Sequence, residues 1–197
     1  MSVYPETVEQ LAVASAWLTY NGSVLLFGSH AALDGGVVDA LVDRVDGRRV
    51  LVCRRDRTDP RRRLGTLTAL FSTVDETEAV ALPPGHRRLL AESIFRAPGA
   101  EGASAPSAEE LGPAVLSLLR TLSGSTPLLL IVEAVHRLDD DTRCVLEYVA
   151  EETRGSLVRM IAVEEVPGPG GPRGYAICPS PLVIIGLGPS SGSLSPN

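Results

Sequence analysis

Five short aliphatic runs, separated by stretches with helical periodicity, constrain the fold of this chain more than any other feature. Runs of this length, bounded by glycine, proline or polar residues, are typical of buried strands. They predict strands at 23–27, 49–53, 128–133, 157–163 and 182–187. Strands that alternate with helices indicate a mainly parallel sheet covered on both faces, which is a three-layer α/β sandwich.

The segments between these runs carry helix signals. Residues 7–10 (TVEQ) and 107–110 (SAEE) have the form of capping boxes and predict helix starts. Residues 64–95 are predicted to be helical in two pieces joined through Pro83 and Pro84. A further helix is predicted over 139–154.

The 197 residues suit one domain, which we place at 1–188. Residues 97–106 (APGAEGASAP) have low complexity and are predicted to form a mobile loop. Residues 189–197 are predicted to be a disordered tail, because small and polar residues predominate there.

Charge and composition exclude several functions. The net charge of -6 argues against general nucleic-acid binding. All 18 basic residues are arginine, so the chain offers no lysine to hold a phosphate or form a Schiff base. The three cysteines form no CxxC pair, which is typical of a reduced chain. No signal peptide and no apolar run long enough to span a bilayer is visible, so we expect a cytoplasmic protein.

The first predicted strand and the turn after it are placed like a phosphate-binding P-loop. That loop has the form GxxxxGK[ST], in which lysine contacts phosphate and the hydroxyl ligates Mg²⁺. Counted from Gly28, its second glycine falls on Leu33, its lysine on Asp34 and its hydroxyl residue on Gly35. The turn therefore has the length of a P-loop but lacks the residues that contact phosphate and Mg²⁺. By themselves these residues favour a plain strand-to-helix turn in which Asp34 caps the helix.

The segment PLLLIVEAVHRLDDDTRCVLEYVAEE (127–152) resembles the Walker B region of STAND-class P-loop ATPases. More narrowly, it is similar to the ATPase domain of the large ATP-binding regulators of the LuxR family. The resemblance covers roughly 20–190, with VLLFGSHAALDGGVVDALV, LVRMIAVEE and LVIIGLGPSSGSL as its other parts. It implies a P-loop-NTPase-like sheet with the strand order 5-1-4-3-2.

The departures from that family fall at its catalytic positions. Glu133 matches the acid associated with Mg²⁺, but Ala134 replaces the acid that orients water, and alanine cannot act as a base. Glu164 stands where the resemblance places a sensor arginine. Two like charges 4 Å apart cost ~4 kcal/mol at an effective dielectric constant of 20, so Asp34 and Glu164 should repel phosphate.

The resemblance therefore implies a catalytically inactive ATPase-like domain with no cofactor, acting through protein contacts in transcriptional or biosynthetic control. We expect a protein partner or self-association, and no membrane or direct nucleic-acid partner. The alternative is a small-molecule-binding protein, or an enzyme with new chemistry, that uses the relic cleft. That cleft is predicted from nine residues: Gly28, Ser29, His30, Asp34, Gly35, Glu133, Ala134, Asp139 and Glu164.

The basic segment RRDRTDPRRR (54–63) is the other candidate feature. It is either a solvated loop or a patch for an acidic partner, and the patch would consist of Arg54, Arg55, Arg57, Arg61, Arg62 and Arg63. His30 and His136 are expected at the ligand face, but no third ligand has metal spacing, so no metal site is predicted. Trp17 is interpreted as a packing residue, with a partner anchor as the alternative.

Overall fold

A computed structural model describes residues 5–20, 22–33, 36–44, 47–57, 61–95, 106–153, 156–166 and 171–188. Five strands form one sheet: β1 (Ser23–Gly28), β2 (Arg49–Cys53), β3 (Leu128–Val132), β4 (Val158–Glu165) and β5 (Leu182–Leu187). All pairings are parallel, and the order is β2-β3-β4-β1-β5. Read from the other edge, this is the predicted order 5-1-4-3-2, so the fold class is confirmed.

Seven α-helices lie in the described parts of the chain. They are α1 (Pro5–Thr19), α2 (His30–Leu33), α3 (Val37–Val42), α4 (Gly65–Leu70), α5 (Pro84–Ser93), α6 (Ala108–Ser123) and α7 (Asp140–Glu152). The capping box at Ser107 and Glu110 is confirmed at the start of α6. α1 begins at Pro5 rather than after Thr7, and the Nε2 of Gln10 donates to the carbonyl of Gly186 in β5 (2.8 Å).

Alternate residues of each strand enter two separate cores, as the two-residue repeat of a buried sheet requires. In β3, Leu128 and Leu130 face the larger core, which α4–α7 cover, while Leu129 and Ile131 face the smaller core under α1–α3. The sheet is therefore buried on both faces, and its polar chemistry is confined to the ends of the strands.

The limits of the domain at 1–188 stay a prediction. Apart from Pro106, the predicted mobile loop 97–106 lies outside the described residues, as does the predicted tail 189–197. Within the described residues, no helix combines the length and the apolarity that crossing a membrane would require.

Candidate functional site

A cleft of ≈ 500 Å³ opens beside the carboxyl ends of the central strands, where parallel sheets bind ligands. The loop after β1, helix α3 and the segments that follow β2 and β3 form its walls. Its lining residues are Leu33, Gly36, Val37, Val38, Asp39, Arg54, Arg55, Asp56, Glu133, Arg137 and Val163.

Arg54 spans this cleft. It follows β2 directly, and Glu133 follows the neighbouring strand β3, so the strand pairing brings the two side chains together. Arg54 Nη1 donates to Glu133 Oε1 (2.8 Å), and Nη2 donates to Asp39 Oδ1 on α3 (2.6 Å). We call this Asp39–Arg54–Glu133 arrangement the Arg54 bridge. The bonds to the two carboxylates raise the pKa of Arg54.

The second oxygen of Glu133 is also engaged. Its Oε2 accepts the backbone N–H of Arg55 (3.0 Å), and the Glu133 N–H donates to the carbonyl of Cys53 (3.0 Å). Each carboxylate oxygen therefore has a partner within the chain, and one of the partners is a cation.

Beside the bridge, Glu165 at the end of β4 collects a second group of polar side chains. Its Oε2 lies 3.3 Å from His30 Nδ1 and 3.5 Å from Arg55 Nη1, and Arg55 also donates to His30. The Glu165 N–H donates to His136 Nδ1 (3.2 Å). Burial lowers the pKa of His136, although the charge of Glu165 opposes that effect. Both the accepted bond and the lowered pKa favour neutral His136.

Glu164 does not join the cleft, because alternation along β4 turns it to the opposite face of the sheet. Its side chain is buried, and its Oε2 accepts the N–H groups of Arg173 (2.8 Å) and Gly174 (2.7 Å). A Cβ added at Gly174 would lie 3.1 Å from that oxygen. Glu164 thus holds the 3₁₀ turn Gly174–Ile177 against the larger core.

Asp139 is also buried and lies outside the lining of the cleft. It is the N-cap of α7: its Oδ1 accepts the Thr142 N–H (3.0 Å), and its Oδ2 accepts the Thr142 hydroxyl (2.7 Å). Oδ1 also accepts the N–H of Leu64 (3.1 Å), which precedes α4. Its observed role is to join the starts of two helices.

Three other predicted cleft residues shape the backbone. Ala134 is buried with a left-handed conformation (φ 59°) and begins the 3₁₀ turn Val135–Arg137. Gly28 ends β1, and a Cβ there would lie 2.2 Å from the Leu187 carbonyl oxygen. The carbonyl of Ser29 accepts the N–H groups of Ala32 and Leu33. Asp34 and Gly35 lie outside the described residues.

The basic segment is divided between different surroundings. Arg54 and Arg55 belong to the cleft, whereas Arg63 donates to Asp141 and to the Pro106 carbonyl. Arg57, Arg61 and Arg62 are exposed. A partner patch at the exposed arginines stays a prediction.

Sequence reasoning did not single out Asp39 or Glu165. Glu165 could have been found from the two-residue repeat of β4, because Val163 faces the smaller core and residue 165 must share its side. Nothing local marks Asp39, since its role depends on a partner 15 residues away. Among the described residues, no three histidine, cysteine or acidic side chains are grouped to hold a metal ion.

Comparison with known proteins identifies the fold of this chain but assigns the chain to no family. No protein-family model and no curated protein matches the chain. The Aeropyrum pernix Orc1 protein, solved in complex with DNA, superposes with a TM-score of 0.56 at 16% identity over 96% of this chain and 47% of Orc1. Cdc6p from Pyrobaculum aerophilum gives 0.53 at 13% identity over 93% of this chain and 46% of Cdc6p. The chain thus has a P-loop-NTPase-like fold and spans about half the length of these proteins.

Proposed function

We propose that this chain is a catalytically inactive ATPase-like domain that works in the cytoplasm as a regulatory, protein-interacting module. The Arg54 bridge is the observation that carries the proposal. Resemblance assigns Glu133 to the Mg²⁺ of a bound nucleotide, yet both of its oxygens are bonded to the segment after β2. A metal ion would have to displace a guanidinium that already neutralises the carboxylate.

The residues around the bridge support the same conclusion. Ala134, at the position of the family's water-orienting acid, has no group that could accept a proton. Glu165 adds a further carboxylate at the carboxyl ends of the strands, next to His30. The chain contains no lysine, so no other residue supplies the missing phosphate contact as an ammonium group.

Nucleotide binding is tested by thermal unfolding of the full chain with Mg·ATP. At 1 mM, a ligand with a Kd near 10 μM would add ~2.7 kcal/mol of stability, which is a rise in Tm of roughly 5–10 °C for a domain of this size. We expect a rise below about 1 °C and no phosphate release. A shift of the larger size would contradict the proposal.

Arg54→Ala is the matched variant for this experiment, because it removes the guanidinium and leaves the acids. We expect Arg54→Ala to release no phosphate, since Ala134 is unchanged. Turnover in Arg54→Ala would show instead that the bridge inhibits a competent enzyme.

Action through protein contacts is tested on purified protein. Sedimentation velocity from micromolar to submillimolar concentration should show self-association, and Arg57→Glu with Arg61→Glu and Arg62→Glu should change it if the exposed arginines form the interface. If the protein stays monomeric over this concentration range, the proposal requires a separate protein partner. The regulatory setting, transcriptional or biosynthetic control, follows from the resemblance to LuxR-family regulators.

The cleft itself favours small-molecule binding as a second candidate function. Its volume is within the ~300–1,000 Å³ of ordinary ligand sites, and arginine and carboxylate groups converge on it. A zwitterion would match both charges, so L-arginine and L-glutamate are suitable probes in the same melting experiment. Saturable stabilisation that Asp39→Asn abolishes would favour this function.

A further inference from the structure

The outer edge of β5 is an open edge of the sheet. β5 ends the strand order and pairs with β1 alone. The N–H of Ser23 donates to the carbonyl of Pro181 (2.7 Å), so Pro181 and every second residue after it turn their backbone groups toward β1. Leu182, Ile184 and Gly186 must therefore turn theirs outward, because successive residues of a strand present their backbone groups to alternate sides.

These outward groups are almost all unpaired in the described part of the chain. The Nε2 of Gln10 donates to the carbonyl of Gly186 (2.8 Å), which agrees with an outward-facing residue 186. No other side chain or loop of the described residues bonds to the outward groups of β5. The N–H groups of all three outward residues, and the carbonyls of Leu182 and Ile184, thus form a row ~14 Å long.

The same edge lacks the features that keep edge strands from pairing with other chains. Native proteins place charged side chains or proline on such edges. At the other edge of the sheet, β2 has Arg49 in an ion pair with Glu78. In contrast, no charged side chain occurs from residue 174 to 197, and the prolines at 181 and 189 lie beyond the two ends of β5. Ile184, at the middle of the row, is 47% exposed.

A second copy of this chain has a matching edge. Antiparallel strands exchange two hydrogen bonds at each opposed pair of residues whose backbone groups face each other. With Ile184 opposite Ile184 of the second copy, Leu182 lies opposite Gly186, so every outward residue is paired at once. We propose that two copies join through β5, antiparallel and across a two-fold axis, to form one continuous ten-stranded sheet.

The charge distribution favours this occupant. The net charge of -6 makes two copies repel each other where their charged surfaces meet, and β5 brings no charged side chain to the contact. The helix that Gln10 ties to this edge has one charged residue over 9–20, which is Glu9. A strongly charged peptide would find little opposite charge here. The inference rests on the proposed function in one respect, that the chain acts through protein contacts, and it names the contact.

Sedimentation velocity of the full chain, from micromolar to submillimolar concentration, tests whether the dimer forms. About six backbone hydrogen bonds and few side chains make a small interface, so we expect a weak dimer in the upper part of this range. The mass should rise from 20.8 kDa toward twice that value.

Amide hydrogen exchange of the same samples tests which edge pairs. The N–H groups of Leu182, Ile184 and Gly186 should exchange about tenfold more slowly when nine-tenths of the chain is dimeric, since only the free monomer leaves them open. The N–H groups of Val183 and Ile185 already face β1, so dimer formation should change their exchange little.

Two variants of Ile184 separate strand pairing from other contacts. Ile184→Lys places a charge on the edge, and Ile184→Pro removes an outward N–H that β1 does not use, which an edge strand tolerates. Both should remain folded and monomeric at concentrations where the unmodified chain is a dimer. Val80→Lys is the matched control, because Val80 is 61% exposed next to the turn that pairs with β2, at the far edge of the sheet. Val80→Lys should dimerise like the unmodified chain.

Three results would overturn the proposal. They are a mass of one chain at every concentration, a dimer that persists in either Ile184 variant, and a dimer without slower exchange at the three outward amides. Dimer loss in the variant with Arg57, Arg61 and Arg62 changed to Glu, and none in Ile184→Lys, would overturn this contact and leave the proposed function standing. If an Ile184 variant fails to fold, hydrogen exchange of the unmodified chain decides.

Discussion

Asp139 closes the first turn of α7 and holds the start of α4 with the same carboxylate. Asp139→Ala removes an N-cap and leaves the buried Leu64 N–H unpaired. A lost cap costs ~0.5–2 kcal/mol, and an unsatisfied buried donor ~1–3 kcal/mol. We expect a loss of about 2–4 kcal/mol in the free energy of unfolding, measured by urea denaturation.

Asp140→Ala is the control, because Asp140 is exposed in the same helical turn and should cost less than about 1 kcal/mol through the helix dipole. Asp139→Asn keeps a capping oxygen and should cost less than Asp139→Ala. Equal effects of Asp139→Ala and Asp140→Ala would mean that the cap contributes little.

At the scale of elements, α6 and α7 meet at a glycine. A Cβ at Gly112 would lie 2.9 Å from Cδ1 and 3.0 Å from Cγ of Tyr148, which belong to the fixed end of the ring. Replacing a helical glycine by alanine ordinarily gains up to ~1 kcal/mol, but overpacking costs ~1–3 kcal/mol. Gly112→Ala should therefore lower the free energy of unfolding by about 1 kcal/mol.

Replacing Gly85 by alanine is expected to raise the free energy of unfolding instead of lowering it. Gly85 lies in α5, and an added Cβ there would meet nothing within 4 Å. Gly85→Ala should raise the free energy of unfolding by about 0.5–1 kcal/mol, since only the helix propensity changes. A stabilising Gly112→Ala would show that Tyr148, which is 38% exposed, moves aside at little cost.

At the scale of the whole molecule, both cores share one sheet, so the two helical layers should unfold together. Cys53 and Cys178 are buried in the larger core, and burial raises the pKa of the Cys178 thiol to about 12. Cys144 is exposed, and Trp17 packs against the smaller core. In native buffer, a thiol reagent should modify Cys144 alone.

With increasing urea, protection of Cys53 and Cys178 should be lost at the same midpoint as the change in Trp17 fluorescence. If these thiols react before the fluorescence changes, the α4–α7 layer opens separately and the single-unit description is wrong.

The strands could be predicted closely from the sequence, because runs such as Leu128–Val132 are buried on both faces and have no other stable environment. The strand order followed from the family resemblance. The candidate site was harder to predict from the sequence. Glu164 and Glu165 are adjacent acids, and only the strand alternation separates the buried anchor Glu164 from Glu165, which lies beside the Arg54 bridge. The Arg54 bridge joins three segments distant in sequence, and no local pattern specifies such a contact.

The two arms of the Arg54 bridge differ in contact with solvent. The Asp39 side chain is 62% exposed and that of Glu133 is 16% exposed, with Arg54 between them at 44%. The Debye length is about 10 Å at 0.1 M salt and shortens as salt is added, and mobile ions weaken the attraction between exposed charges more than that between partly buried ones. Rising ionic strength should therefore weaken the Asp39–Arg54 ion pair first, while Arg54 stays on Glu133. The Arg54 bridge thus has a salt-dependent arm at Asp39 and a salt-resistant arm at Glu133, so the ionic composition of the surroundings sets how firmly Arg54 is held across the cleft.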